Sequence, residues 1–203
     1  TSPHHFPQTR PETPTDLDVH RYRVPHPQWR GTPLRIAHLT DLHVHPSIPL
    51  EYYQDVVAVA EQSEPDIAVF TGDFITSLDA LPKLAKVLRP IAKLETYAVI
   101  GNHDYWTDAD AVRKVITESR LRLLSNETIP LTAGENQIYV SGYVYPWGTK
   151  DSSVLPQRAD LLHVVLSHTP DNIYRLSKSS ADVVFSGHYH AGQIRAPIVG
   201  PIV

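Results

Sequence analysis

The 203-residue chain contains no cysteine and no methionine, and each absence narrows the reading. Without thiols there are no disulfides and no thiolate metal sites, so any metal must be held by oxygen and imidazole nitrogen. Without methionine, and beginning at Thr1, the chain reads as a processed or trimmed form, which leaves room for an anchor lost upstream. No apolar run reaches the roughly 20 residues of a membrane span, and no signal peptide is visible. Excess positive charge is missing too. Against 22 Asp and Glu stand 18 Lys and Arg, a net charge of −4, so no global attraction to nucleic acid or anionic membrane is expected. What remains is a chain of ordinary 41% hydrophobic content, long enough for one domain with a core of its own.

Residues 1–17 carry Pro3, Pro7, Pro11, Pro14 and the pair His4-His5, the composition of an extended arm with solvated imidazoles. Residues 18–203 are expected to form the single domain. Residues 19–24 alternate loosely and predict an edge strand ahead of Pro25 and Pro27. Tyr53, Val56, Val57 and Ala60 then fall at helical spacing, as do Leu81, Leu84, Ala85 and Leu88 before Pro90. Thr107 and Asp110 predict a capping box for a helix carrying Val112, Val115 and Ile116, and Thr169-Pro170 predicts another helix start. Ile138, Val140, Gly142 and Val144 alternate after a turn at Gly134-Glu135-Asn136, which predicts an antiparallel hairpin and hence a mixed sheet. Strands alternating with helices make the fold class α/β.

Five short apolar runs, residues 34–39, 66–70, 98–100, 163–166 and 183–185, share one feature: each exits into potential metal ligands. In order the exits are Thr40-Asp41-Leu42-His43, Thr71-Gly72-Asp73, Gly101-Asn102-His103-Asp104, Ser167-His168 and Ser186-Gly187-His188-Tyr189-His190. Open α/β sheets place their ligands at such carboxyl ends. Carboxylate, amide and imidazole together suit manganese, iron or zinc better than calcium, which prefers oxygen alone. His38 and His163, inside apolar runs, read as satisfied core groups or as supports hydrogen-bonded behind the ligands. His45 reads as a loop residue, with substrate contact as the alternative.

This ordered set resembles the calcineurin-like metallophosphoesterase family, whose blocks run D-x-H, GD, GNH(D/E), a lone H and GHxH, and it is similar to the family's bacterial envelope-associated subgroup. The resemblance covers residues 34–195 and implies a layered sandwich of two mixed β-sheets flanked by helices. It also implies two divalent metal ions, manganese first with iron or zinc as alternatives. Asp73 would bridge them, Asp41, His43 and His190 would complete one position, and Asn102, His168 and His188 the other. His103 would act on the phosphate as acid or charge stabiliser.

Where many relatives read GDxxD, this chain has Thr76, which can hydrogen-bond but brings no charge to orient His103, so Asp104 or water would have to substitute. Tyr189, between two ligands, is either a wall of the substrate entrance or simple packing. Relatives usually continue past the last block, which implies a C-terminus cut short. The implied function is hydrolysis of a phosphoester or pyrophosphate bond in a small or lipid-linked substrate. The alternatives are a nuclease on the same fold, which the acidic charge argues against, and a non-catalytic scaffold. Apolar Ile198, Val199, Ile202 and Val203 leave peripheral membrane association open, and the compartment stays open between cytoplasm and envelope.

Overall fold

The computed structural model describes residues 17, 19–27, 29–133, 136–148 and 161–190, and the backbone of 195–196 and 200–201. Four strands, β1 (Ile36–Leu39), β2 (Ile67–Thr71), β3 (Thr96–Val99) and β4 (Arg122–Leu123), lie in sequence order, every pairing parallel. The crossovers are α1 (Leu50–Gln62), α2 (Leu81–Ile91) and α3 (Asn102–Glu118). All five residues of β2 are buried, as expected of a central strand covered on both faces.

The second sheet is mixed. Its hairpin, β5 (Thr128–Ala133) and β6 (Asn136–Gly142), is antiparallel, while β7 (Leu162–Leu166) and β8 (Val183–Phe185) continue in parallel. Ile129, Leu131 and Ala133 alternate inward along β5, and Pro130 is tolerated because β5 is an edge strand. A short helix, α4 (Ile173–Leu176), follows the 3₁₀ turn that begins at Pro170. Two-residue strands β9 (Arg195–Ala196) and β10 (Gly200–Pro201) pair antiparallel.

Two apolar layers hold this together. Phe70, Phe74, Leu84, Leu88, Val112 and Ile116 pack the first sheet against its helices. Val69, Val99, Ile138, Val140, Val164 and Leu166 fill the space between the sheets. Each such side chain contributes about 1.5–3 kcal/mol on burial. Because the layers fix the sheets face to face, the carboxyl ends of β1, β2, β3, β7 and β8 deliver their loops to one place.

Three expectations need correction. Residues 19–24 form no strand; Tyr22 and Val24 are exposed, and with Pro25 and Pro27 following, the alternation finds no sheet to join. The cap of the helix carrying Val112 is Asp108, not Thr107. Asp108 leaves helical geometry (φ −166°, ψ 95°) and its Oδ1 accepts the N–H groups of Asp110 and Ala111 at 3.1 and 3.0 Å. The Thr107 hydroxyl is already donated to the His103 carbonyl (2.8 Å), so it closes the preceding turn instead. His38 is exposed on edge strand β1, where its Nε2 bonds the Thr71 hydroxyl (2.8 Å), whereas His163 is buried as expected between the hydroxyls of Ser141 (2.6 Å) and Ser180 (3.0 Å). The arm's residues 1–16 and the Gly134-Glu135 turn lie outside the described residues, and so do the side chains of Ile198, Val199, Ile202 and Val203.

Candidate metal centre

The loops after the strands are knitted by backbone bonds before any ligand chemistry begins. Asp41 N–H donates to the Gly72 carbonyl (3.0 Å), His43 N–H to Asp73 (2.9 Å) and Val44 N–H to Phe74 (2.8 Å). In the second sheet, Ser167 N–H reaches Phe185 (2.9 Å) and Gly187 N–H reaches His168 (3.0 Å). This network holds Asp41, His43, Asp73, His188 and His190 at φ values of 50°, 41°, 54°, 74° and 47°. The left-handed region costs a non-glycine residue about 1–3 kcal/mol.

The side chains so aimed converge in two groups. Asp41, His43, Asp73 and His190 form one, and Asp73, His168 and His188 the other, with each group's ligand atoms within 4.8 Å of one another. Asn102 joins the second, its Oδ1 2.8 Å from both His168 Nε2 and His188 Nδ1. All seven residues singled out from the sequence are therefore brought together, and Asp73 is common to both groups.

The glycines make room. A Cβ on Gly101 would press on Asp73 Oδ1 and lie 2.5 Å from the Asp73 nitrogen and 2.7 Å from His168 Cε1. One on Gly72 would lie 2.5 Å from the Gly101 nitrogen and 2.8 Å from His168 Nδ1.

The donor chemistry suits a cation. His168 Nδ1 donates to the Thr71 carbonyl (2.7 Å), which turns Nε2 toward Asn102 Oδ1, Asp73 Oδ2 (3.3 Å) and His188 Nδ1 (3.2 Å). Those neighbours are acceptors or potential acceptors, so positive charge at their centre, the Nε2 proton in the metal-free chain or a cation in its place, suits the arrangement. The protonation tendencies agree. Burial alone would lower His168, but the Asp73 carboxylate and the Thr71 carbonyl hold it above its usual range. Burial would raise Asp73, yet His168, the His103 N–H and His43 keep it below the ordinary carboxylate range. His43 is lowered by burial and by repulsion from His103 and His190, and His188 by burial and by His168.

His103 lies beside the first group, its ring 4.7 Å from that of His43 and 5.0 Å from Trp106, while its backbone N–H donates to Asp73 Oδ1 (2.9 Å). Neither residue suggested to orient that ring does so. Thr76 donates its hydroxyl to the Val44 carbonyl (3.2 Å). Asp104 is fully buried and both its oxygens are engaged: Oδ1 accepts from Phe74 N–H (2.9 Å) and Ile75 N–H (3.3 Å), and Oδ2 from Gly101 N–H (2.9 Å). It braces the loops that carry Asp73 and Asn102. Burial pushes its carboxyl up to about 7, against the pull of the Gly101 N–H and with the Asp73 charge adding to the rise. Tyr189 is exposed and donates its hydroxyl to Asp171 (3.0 Å). Trp147, an aromatic that the sequence places in a segment flanking the site, is a fixed wall of it, with Nε1 donating to the Thr169 hydroxyl (2.9 Å). Sequence reasoning missed the Asp104 brace. For the brace the only signal was a carboxylate three residues after Gly101.

A sequence model of calcineurin-like phosphoesterases matches residues 34–192. The chain belongs to that family. It is 32% identical over 176 residues to the metallophosphoesterase YkoQ of Bacillus subtilis, across 81% of this chain and 63% of that one. Phosphodiesterase YaeI of Escherichia coli is 26% identical over 190 residues, 91% of this chain and 70% of that one. UDP-2,3-diacylglucosamine pyrophosphatase LpxG of Chlamydia muridarum is 26% identical over 215 residues, 81% and 65%. The chain thus spans 63–70% of the length of these curated relatives. The two four-stranded sheets flanked by helices are the α/β architecture that the family resemblance implied, except that only the second sheet is mixed. Among the described residues every pairing of the first is parallel, its strands being joined by helical crossovers. Among the described residues no helix is long and apolar enough to cross a membrane.

Proposed function

We propose that this calcineurin-like phosphoesterase is a two-metal hydrolase that cleaves a phosphoester or pyrophosphate bond in a small or lipid-linked substrate. The observation that carries the reading is the pair of donor groups sharing Asp73, with His103 alongside. Asp41, His43, His190 and Asp73 would hold one ion, and Asp73, Asn102, His168 and His188 the other. Two divalent ions there, manganese first with iron or zinc as alternatives, would polarise phosphoryl oxygens and lower the pKa of a water molecule.

The chain's own residues do the rest. The Thr71 carbonyl accepts from His168 Nδ1, which leaves Nε2 as the atom that would ligate an ion. The His188 N–H, 3.0 and 3.1 Å from the two Asp41 oxygens, together with the Thr40 hydroxyl at 2.8 Å, holds that carboxylate in one orientation. Asp104 keeps the Asp73 and Asn102 loops in register. His103, half-exposed at the edge of the first group, is placed to stabilise charge on the phosphoryl group or to protonate the leaving oxygen.

Relatives named as a phosphodiesterase and as a UDP-diacylglucosamine pyrophosphatase support the ester or pyrophosphate reading and a lipid-linked substrate. The net charge of −4 opposes a polynucleotide, whose binding calls for a basic track beside the site. The test is a hydrolysis screen with manganese across phosphomonoesters, phosphodiesters and pyrophosphates. Metal-dependent cleavage of a small ester or pyrophosphate, abolished by a chelator and restored by manganese, is expected. No cleavage in any class would overturn the reading, and efficient DNA cleavage that weakens steeply with salt would move it to a nuclease.

A further inference from the structure

Beside the donor groups runs an arc of rings that metal chemistry does not need. From His43 it passes to His103 at 4.7 Å, on to Trp106 at 5.0 Å and Trp147 at 5.5 Å, and then to His188 at 6.3 Å and Tyr189 at 5.2 Å. Trp106 neighbours His103, which abuts His43, and Trp147 neighbours His188, so the two indoles border both donor groups.

The two indoles differ in how they are held. Trp147 is half-buried and anchored through Nε1 to Thr169, whereas Trp106 is 64% exposed despite its size. Their planes stand at 87°, edge to face, which makes a right-angled corner with flat walls. An exposed indole beside a site costs solvation that a buried one does not, and such a residue is informative where it borders the chemistry.

We propose that Trp106 and Trp147 form a stacking site for a planar aromatic group on the substrate, a nucleobase attached through its sugar to the phosphate or pyrophosphate being cleaved. A flat ring slid into the corner stacks on one indole and meets the other at its edge, both favoured aromatic arrangements. An acyl chain fits less well, because imidazoles interrupt the arc and its far end is the polar pair Tyr189 and Asp171, joined at 3.0 Å. The inference rests on the hydrolase reading for the position of the phosphate, but the stacking itself can be read without turnover.

The experiment is tryptophan fluorescence titration of the manganese-loaded chain with adenosine monophosphate, glycerol 3-phosphate, octyl phosphate and inorganic phosphate. Adenosine monophosphate should quench the indoles and bind about tenfold tighter than the three phosphates without a base, a modest return for one base on an aromatic face. Trp106→Ala should weaken adenosine monophosphate about tenfold and leave inorganic phosphate unchanged, and Trp106→Phe should restore most of the loss. Equal affinity for all four probes would overturn the proposal, as would tighter binding of octyl phosphate or an equal loss for every probe in Trp106→Ala. Base-dependent binding without hydrolysis of any ester would strike the hydrolase reading and leave the stacking site standing. Hydrolysis with no preference for a base would strike the stacking site alone.

Discussion

Gly101→Ala tests whether close packing, and not only ligand identity, holds the donor groups in place. Gly101 sits at φ −105°, a conformation alanine adopts freely, so backbone strain does not enter. The cost is contact. The new methyl carbon would lie 2.5 Å from the Asp73 nitrogen and 2.7 Å from His168 Cε1, and would press on Asp73 Oδ1. Ordinary carbon contacts lie at about 3.5–4.0 Å, so those atoms must give by roughly 1 Å. Overpacking of this kind costs about 1–3 kcal/mol. At about 2 kcal/mol, and about 2–4 °C per kcal/mol for a chain of this size, Tm falls by roughly 4–8 °C.

Gly142→Ala is the control, since its Cβ would meet Leu124 just as closely, 2.5 Å from Cβ and 2.9 Å from the carbonyl carbon, in the layer between the sheets. Both variants should lose comparable stability by thermal denaturation of the metal-free chain. Only Gly101→Ala should weaken manganese binding by calorimetry, by about 10–100-fold, the usual scale when a ligand's support is displaced. Unchanged manganese affinity in Gly101→Ala would refute the packing argument, and an equal loss in Gly142→Ala would reduce it to general destabilisation.

Asp73→Asn removes the one carboxylate common to both groups, and elemental analysis should find both ions lost; stoichiometric metal in that protein would sink the bridging role. His103→Gln should retain both ions and lower turnover by about 10²-fold or more, whereas a parallel loss of metal affinity would make it a structural support only. Metal binding should also release protons near neutral pH. His168, held above its usual value in the metal-free chain, must shed its proton to ligate, and Asp104 drops from about 7 as the Asp73 charge is neutralised; His43 and His188, already lowered, contribute none. The sign for stability is opposite. A raised His168 stabilises the metal-free fold below the ordinary histidine value of about 6.5, and that contribution is lost as pH rises through its folded value. Calorimetry of manganese binding at pH 7 in buffers of different ionisation heat checks the release, and heats independent of buffer would refute it.

The five strands were legible because each apolar run stops abruptly at Thr, Gly or Ser and hands over to a residue that cannot be buried unpaired. That pattern has one physical meaning, whichever way the sheets pack. Position within the sheet was less legible. His38 and His163 look alike in sequence, but one falls on an edge strand and the other on the buried strand β7, and pairing order is a property of the whole chain. Residues 19–24 alternate only loosely, and of the two segments only β5 has a partner at the right register. The misplaced cap has a similar cause. Thr107 and Asp108 are both good caps, and the choice turned on the Thr107 hydroxyl being drawn to the His103 carbonyl. The Asp104 role was hidden because its partners are backbone N–H groups of another loop, which no motif records.

The backbone carries a separate argument for what these residues are for. Asp41, His43, Asp73, His188 and His190 are five of the seven proposed ligands, and all lie in the left-handed region. Of the other described non-glycine residues only Glu64, Arg120 and Asn126 share those conformations, which glycine or asparagine would occupy at lower cost. Aspartate and histidine in their place cost conformational energy, bury charge and bring imidazoles to within 3.1–3.2 Å of one another. The expense is tolerated because the loops are over-determined by bonds such as His43 N–H to Asp73 and Gly187 N–H to His168, which the strands above them enforce. Strain concentrated on the donor residues, with regular structure on either side, is what a preformed cation site looks like in a fold whose sheets supply the rigidity.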